Sequence, residues 1–412
     1  MAQKNKLREK EICKKDCVTV MRGVTLTHFL LMFGYKLFSA YFPLFLMVQG
    51  FSLPQIGWTY LLIYLPIALC APLAGFICRR TNPVLPMVLG IIGYATYALL
   101  MIVDARNGLF FFWQIVLGVA ASLFFTSSRI LLISYPAANI ERGFSWFYNA
   151  PFWADALAPV IGGFLIWRVG FTMVFALSVA ITMAAAVAAI HLLWDIASRR
   201  HGRAISLTVW VQKWRNLLSR SGARQMAPNL TVSFTVLWAS GIFAAFFILF
   251  LKNALLWSQN AVITYTAASS AFFSIAYIIF IRPWQKGTDG RNIMAGAAVA
   301  GAFSIMFAIP VAFLNYASVF AIEFFKNAGG FVCNAGRSAL VARKMEKDAE
   351  EAGAFDTIFS PLGIALGSLT AALLVGPLGY QGLFLFAGTI VVILAALSFL
   401  SQKIYNKNSS ER

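Results

Sequence analysis

Polar and apolar positions in this chain fall into blocks. Twelve long apolar runs, at about 24–48, 57–78, 83–103, 108–134, 144–167, 171–194, 228–251, 260–282, 293–314, 316–341, 355–377 and 381–402, are joined by mostly short polar connections. A helix needs about 20 apolar residues to cross a bilayer core, and each run is close to that length. The pattern predicts an all-α membrane protein with twelve transmembrane helices. Composition sharpens this: of 412 residues 60% are hydrophobic and only 12% charged, where soluble domains carry about 25% charged residues.

The run from Phe144 to Trp167 breaks the pattern in an informative way. It holds Asp155 near its midpoint, Pro151, Pro159 and the pair Gly162-Gly163. A carboxylate at the centre of a span costs about 2.5 kcal/mol or more on insertion scales. A helix that only anchors has no reason to carry it, whereas one that lines a wet cavity does. Small residues let a neighbouring backbone come close, and neighbouring helices re-satisfy the carbonyls that prolines free.

The formal net charge is +18, but its placement excludes a nucleic-acid reading. Lys and Arg collect in the loops after the even-numbered spans, including Arg79, Arg80, Arg142, Lys286, Arg291, Arg343, Lys344 and Lys347. Cytoplasmic loops carry such an excess, so both termini are expected inside, in the cytoplasmic membrane. Residues 1–23 and 403–412 are expected as cytoplasmic tails. The long connection 195–225 carries Leu207, Trp210, Val211, Trp214, Leu217 and Leu218 at helical spacing among arginines. It predicts a basic amphipathic helix at the inner interface. The five cysteines form no metal framework. There is no phosphate-binding GxxxxGK[ST] and no nucleophile elbow. No nucleotide, metal or enzymatic chemistry is expected, and the energy source is expected to be a proton gradient.

The chain repeats itself. The segment Phe38-Ser39-Ala40-Tyr41-Phe42-Pro43-Leu44-Phe45-Leu46 aligns with Phe243-Ala244-Ala245-Phe246-Phe247-Ile248-Leu249-Phe250-Leu251. Ser128-Arg129 is echoed by Gly336-Arg337, and Ala150-Pro151 by Ser360-Pro361. Repeats of half-chain period mark duplicated six-helix transporters. The expected division is therefore 24–194 and 226–402, two six-helix bundles.

With twelve spans, a central basic loop, this repeat and glycine-rich fifth and eleventh spans, the chain resembles the major facilitator superfamily over nearly its whole length. The resemblance implies pseudo-two-fold symmetry about a central cavity and alternating access. Three motifs bear on the branch. The loop after span two, Gly75-Phe76-Ile77-Cys78-Arg79-Arg80-Thr81-Asn82-Pro83, keeps only part of the family's GxLaDRxGRR. Ala158-Pro159-Val160-Ile161-Gly162-Gly163 resembles the GPxxGG of drug:proton antiporters, with Ala158 in one glycine place. In span four, Gln114 stands where that branch has an arginine thought to assist proton transfer. Ala158, Pro159, Gly162 and Gly163 are expected at a bundle interface.

Few ionisable residues fall inside spans. Lys36 and Asp155 lie at similar depth on spans one and five and are expected to pair in the cavity, either as a working site or as a structural ion pair. Glu323 and Lys326, three apart on span ten, share a helix face and are read as a local pair or as a second site. A carboxylate in low dielectric gives up its charge more readily than one in water, so Asp155 or Glu323 is the natural proton carrier. Trp153 is expected to share the face of Lys36 and Asp155 and to stack on substrate. Arg79, Arg80, Arg129, Arg337 and Asp356 are expected as inner-face gating pairs, the alternative being snorkelling to headgroups. His28 and His191 are read as interfacial.

The leading expectation is a secondary active transporter, proton-coupled, exporting a small organic molecule. One alternative is uptake of a zwitterionic or anionic nutrient; another is a lipid flippase or receptor on the same fold. The expected partners are a small-molecule substrate and membrane lipids, with no nucleic acid and a monomeric state.

Overall fold

A computed structural model describes the backbone of every residue except 1, 104–107, 136–139, 199–207, 209–211, 213–220, 278, 280–288, 345–348 and 411–412. Side chains of residues 2–15, 79, 133, 140–146, 148, 221–225, 289, 342–344, 349–354, 356 and 401–410 also lie outside the description. The amphipathic helix expected within 195–225 falls largely in the undescribed part.

In each predicted run most of the described residues are helical, and no strand occurs among the described residues. The helices are α1 (Ala2–Ser39), α2 (Phe42–Val48), α3 (Leu53–Arg80), α4 (Val84–Val103), α5 (Phe110–Ser134), α6 (Ile140–Val169) and α7 (Phe171–Ser198). After the linker come α8 (Ser221–Asn253), α9 (Gln259–Ala276), α10 (Asp289–Ile305), α11 (Tyr316–Lys344) and α12 (Ala349–Ser410). Among the described residues, nine helical segments are long and apolar enough to span a membrane. In hydrocarbon every backbone polar group must find a partner within the protein, which selects helices.

Two features depart from the sequence reading. The segment expected as an N-terminal tail is helical from Ala2, continuous with span one. The last two spans join into α12, interrupted at Gly379, where φ is 64° and ψ 179°. That conformation is open to glycine and costly for residues with a Cβ. The break therefore falls between the two predicted runs, 355–377 and 381–402.

By packing the chain forms two compact units: Met1–Ala40, Pro66–Val211 and Ala349–Thr357, and then Tyr41–Leu65, Gln212–Asp348 and Ile358–Arg412. This differs from the repeat boundaries at 41–65 and 349–357. The reason for the first difference is visible at Tyr41, whose hydroxyl donates to the Ile263 carbonyl at 3.4 Å. In the first unit, α1 packs along α6 and α7, and α4 along α5 and α7. Phe38 anchors this core, buried with its ring 4.7 Å from that of Phe175. In the second unit, α10 and α11 pack together and α8 touches both. Its core is aromatic: Phe243 stacks on Phe384 with centroids 4.2 Å apart and planes at 8°. Phe38 and Phe243 are equivalent in the repeat, so the same repeated position seeds both cores.

Two glycines set the closest helix approaches. A Cβ on Gly162 of α6 would fall on the Leu37 carbonyl oxygen of α1, and one on Gly367 of α12 would fall on the Trp238 carbonyl oxygen of α8. Each joins the first and fifth helices of its repeat, within one unit. The expectation that the Gly162 motif serves an interface between bundles is corrected here: the approach it permits is internal, to α1. Ala158, one turn earlier, is fully buried, and Gly163 is buried beside it; Pro159 lies within the helix without ending it.

Overpacking a tight contact costs about 1–3 kcal/mol. Gly162→Val is expected to lower the thermal unfolding midpoint of purified protein in detergent, and an unchanged midpoint would refute the close contact. Gly379→Ala is expected to cost about 1–3 kcal/mol by forcing a side chain into a glycine-only backbone region; the same unfolding measurement checks it.

Candidate functional site

The first unit places Lys36 and Asp155 together. The ammonium nitrogen of Lys36 lies 2.8 Å from Oδ1 of Asp155, with 27% and 31% of the two side chains exposed. Two tight contacts fix the register of α1. Gly162 admits the Leu37 carbonyl on the α6 side, and a Cβ on Gly34 would lie 2.9 Å from Thr182 Cγ2 on the α7 side. Lys36 lies between these points in sequence, so its backbone is held where its side chain meets Asp155. Exposed ion pairs contribute about 0.2–1 kcal/mol, whereas removing one partner of a buried pair costs about 3–5 kcal/mol. This half-buried pair falls between, and each member spares the other the cost of standing alone as a charge in a span.

Trp153 does not join them. It sits two residues from Asp155, about 200° around the helix. It is 48% exposed, on a stripe with Leu157, Val160, Ile161 and Phe164 that are also exposed. That spacing defines one apolar helix face, and in a membrane-spanning helix such a face meets lipid. The expected stacking role beside Lys36 and Asp155 is therefore corrected.

In the second unit Glu323 and Lys326 share a face of α11 and attract each other, and each also has a partner of its own. The Tyr265 hydroxyl donates to Glu323 Oε2 at 2.6 Å, a short, charge-assisted geometry. The Lys326 ammonium lies 4.0 Å above the Phe243 ring centroid. Phe243 is itself pinned by its stack on Phe384, so the cation rests on a fixed aromatic platform. Lys326 also borders a cavity of about 140 Å³, together with Asn327, Asn334, Ser240 and Ser304.

The sequence reading did not single out Asn327, Asn334 or Tyr265. A signal was available. Glu323, Lys326, Asn327, Asn334 and Arg337 fall at i, i+3, i+4, i+11 and i+14, a polar stripe on one helix face. That stripe lowers the hydropathy of α11, which is absent from the nine span candidates although its 29 residues reach about 43 Å.

The expected gating residues separate. Arg80 is exposed and places its guanidinium 4.3 Å over Phe76. Arg337 is buried at 4% exposure, donates to Asn334 Oδ1 at 3.5 Å and lies 5.4 Å over Phe359. Arg129 is half-buried near the end of α5. The side chains of Arg79 and Asp356 lie outside the described residues. His28 is buried and hydrogen-bonded, its Nδ1 3.0 Å from the Phe147 carbonyl oxygen. A carbonyl only accepts, so Nδ1 carries the proton. His191 is exposed. Gln114 is fully buried: its Oε1 accepts from Tyr97 at 2.8 Å and its Nε2 donates to the Phe110 carbonyl at 3.1 Å. It ties α5 to α4, a structural task.

Solved structures share this fold. A POT family transporter in complex with a thioalcohol-conjugated peptide is 12% identical, with a TM-score of 0.77 over 93% of this chain and 96% of that one. A POT family transporter in complex with 5-aminolevulinic acid is 11% identical, with a TM-score of 0.75 over 92% and 95%. A bacterial homologue of the human drug peptide transporters is 14% identical, with a TM-score of 0.69 over 95% and 99%. No curated protein matches by sequence. These likenesses establish the fold, an all-α arrangement of two six-helix bundles. The family model for the Major Facilitator Superfamily, a family of transporters rather than enzymes, matches residues 24–354. This multi-pass membrane protein belongs to the Major Facilitator Superfamily.

Proposed function

We propose that the protein is a proton-coupled transporter that takes up a small molecule bearing charges of both signs, with Lys36 and Asp155 as the coupling pair. The observation that carries this reading is the 2.8 Å ion pair, with both members partly exposed. A closed pair satisfies both charges in the resting state. A proton on Asp155 removes its attraction for Lys36 and releases the ammonium, so the state of the pair follows the proton. Glu323, fixed by Tyr265, supplies a second carboxylate. The two repeats act as bundles, 24–194 and 226–402, with the linker 195–225 between them. The basic loops support cytoplasmic termini, with the chain acting as a monomer in the cytoplasmic membrane on the proton gradient alone, without nucleotide or metal.

Drug:proton export is the second reading, favoured by the Ala158-to-Gly163 motif. Two observations reduce its weight. Gly162 serves the packing of α6 on α1, and the residue in the place of the antiporter arginine, Gln114, is committed to Tyr97 and the α5 backbone.

The test uses purified protein in liposomes with an imposed pH gradient, acid outside. Uptake and release of a panel are followed: L-alanine, L-alanyl-L-alanine, 5-aminolevulinic acid, lactate and ethidium. A zwitterion is expected to accumulate in the wild type. Asp155→Asn is expected to lose gradient-driven accumulation by about tenfold or more while still exchanging substrate across the membrane at equal concentration. Gradient-driven release of ethidium alone would establish export instead. A gradient without effect on the wild type, or an Asp155→Asn variant that accumulates normally, would refute coupling through Asp155.

A further inference from the structure

The cavity of about 140 Å³ beside Lys326 lies entirely within the second unit. Its polar lining is unevenly committed. The Ser240 hydroxyl donates to the Val236 carbonyl at 2.9 Å, and the Ser304 hydroxyl to the Ala300 carbonyl at 2.7 Å. Their protons are thus spent on the helix backbone, and what each oxygen offers the cavity is a lone pair. Asn334 turns its Oδ1 toward Arg337, which leaves its amide N–H groups as donors. Lys326 brings three donors and a positive charge, resting on Phe243 and attracted by Glu323 from one helical turn away. The lining therefore combines a cation and an amide donor with two hydroxyl acceptors.

Drug-sized ligands need pockets of about 300 Å³ or more, so this one accommodates only the head of a molecule. One positive charge matches a monoanion. A phosphate dianion would bring a second negative charge into a half-buried space that already has Glu323 one helical turn away, an unfavourable arrangement. The two serine oxygens call for N–H groups close to the anion. The chemistry that answers all of this is a carboxylate with an N–H donor on the adjacent carbon, as in a free α-amino acid or the C-terminal residue of a short peptide.

We infer that the cavity bounded by Lys326, Asn334, Ser240 and Ser304 is a binding subsite for the α-amino carboxylate head of the substrate. The carboxylate takes the Lys326 ammonium and the Asn334 amide, and the adjacent N–H takes the serine oxygens. This rests on the transporter reading above for its access to substrate, and goes beyond it in naming the group recognised and its place.

Binding is measured without any gradient, by calorimetry on the full chain in lipid nanodiscs, so that a failure of proton coupling and a failure of this subsite are told apart. The probes are L-alanine, alaninamide, L-lactate, L-alanyl-L-alanine and its C-terminal amide. Binding is expected for L-alanine, which assigns a free amino acid, or for L-alanyl-L-alanine alone, which assigns a peptide C-terminus. The matching amide is expected to bind at least about tenfold more weakly, since it lacks the charge that strengthens a hydrogen bond. L-Lactate is expected to lose affinity for want of the N–H. Lys326→Gln is expected to weaken binding of the carboxylate probe by about 10- to 100-fold, with partial recovery in Lys326→Arg. Unfolding midpoints of both variants check that they fold. Equal affinity for acid and amide, no binding of either carboxylate probe, or undiminished binding in folded Lys326→Gln would overturn the assignment.

Discussion

The contact of α1 with α6 at Gly162 is the constraint on which the first unit depends. A backbone carbonyl reaches the next helix only where that helix has no side chain, and Gly162 supplies that place for Leu37. The residue before Leu37 is Lys36, and the residue two turns before Gly162 is Asp155. With the backbones fixed at one point, the pair has one register in which to meet, and it does so at 2.8 Å. Gly34 repeats the device toward α7. The charges are thus held by helix packing rather than by their own attraction, which at this exposure is modest.

The second repeat keeps the device and moves the charges. Gly367 meets the Trp238 carbonyl as Gly162 meets that of Leu37. In the alignment of Phe38 with Phe243, Lys36 corresponds to Gly241, which closes directly on the Ile364 carbonyl. Where one repeat pairs a lysine with an aspartate, the other brings bare backbones together. Its ionisable residues sit on α11 instead, where Tyr265 holds Glu323 and Phe243 supports Lys326. Duplication conserved the scaffold, while chemistry diverged on it.

Much of this was legible in the sequence for a simple reason: hydrocarbon permits few solutions. Apolar blocks in a membrane become helices, and a charge inside one needs a partner, so Lys36 and Asp155 could be paired from depth alone. What failed was azimuth. Trp153 is expected on the face of Asp155, yet residues two apart on a helix point almost oppositely. Asn327 and Asn334 are harder to see, because amides carry no charge to count, although their spacing marks them. The role of Gly162 was misplaced because a motif names a close approach without naming the helix approached. Gln114 was read by what it replaced, whereas its burial and its two hydrogen bonds show what it does.

The Lys36–Asp155 pair is proposed to work in transport and not merely to stabilise the fold. An apolar replacement of both partners separates the two, because a purely structural ion pair is often replaced by hydrophobic residues without loss of stability. The measurement is gradient-driven uptake by the double variant Lys36→Met/Asp155→Leu in liposomes, with its unfolding midpoint in detergent alongside. The predicted result is a folded protein, with a midpoint equal to or above that of the wild type, that no longer accumulates substrate. A double variant that transports at the wild-type rate would contradict the account.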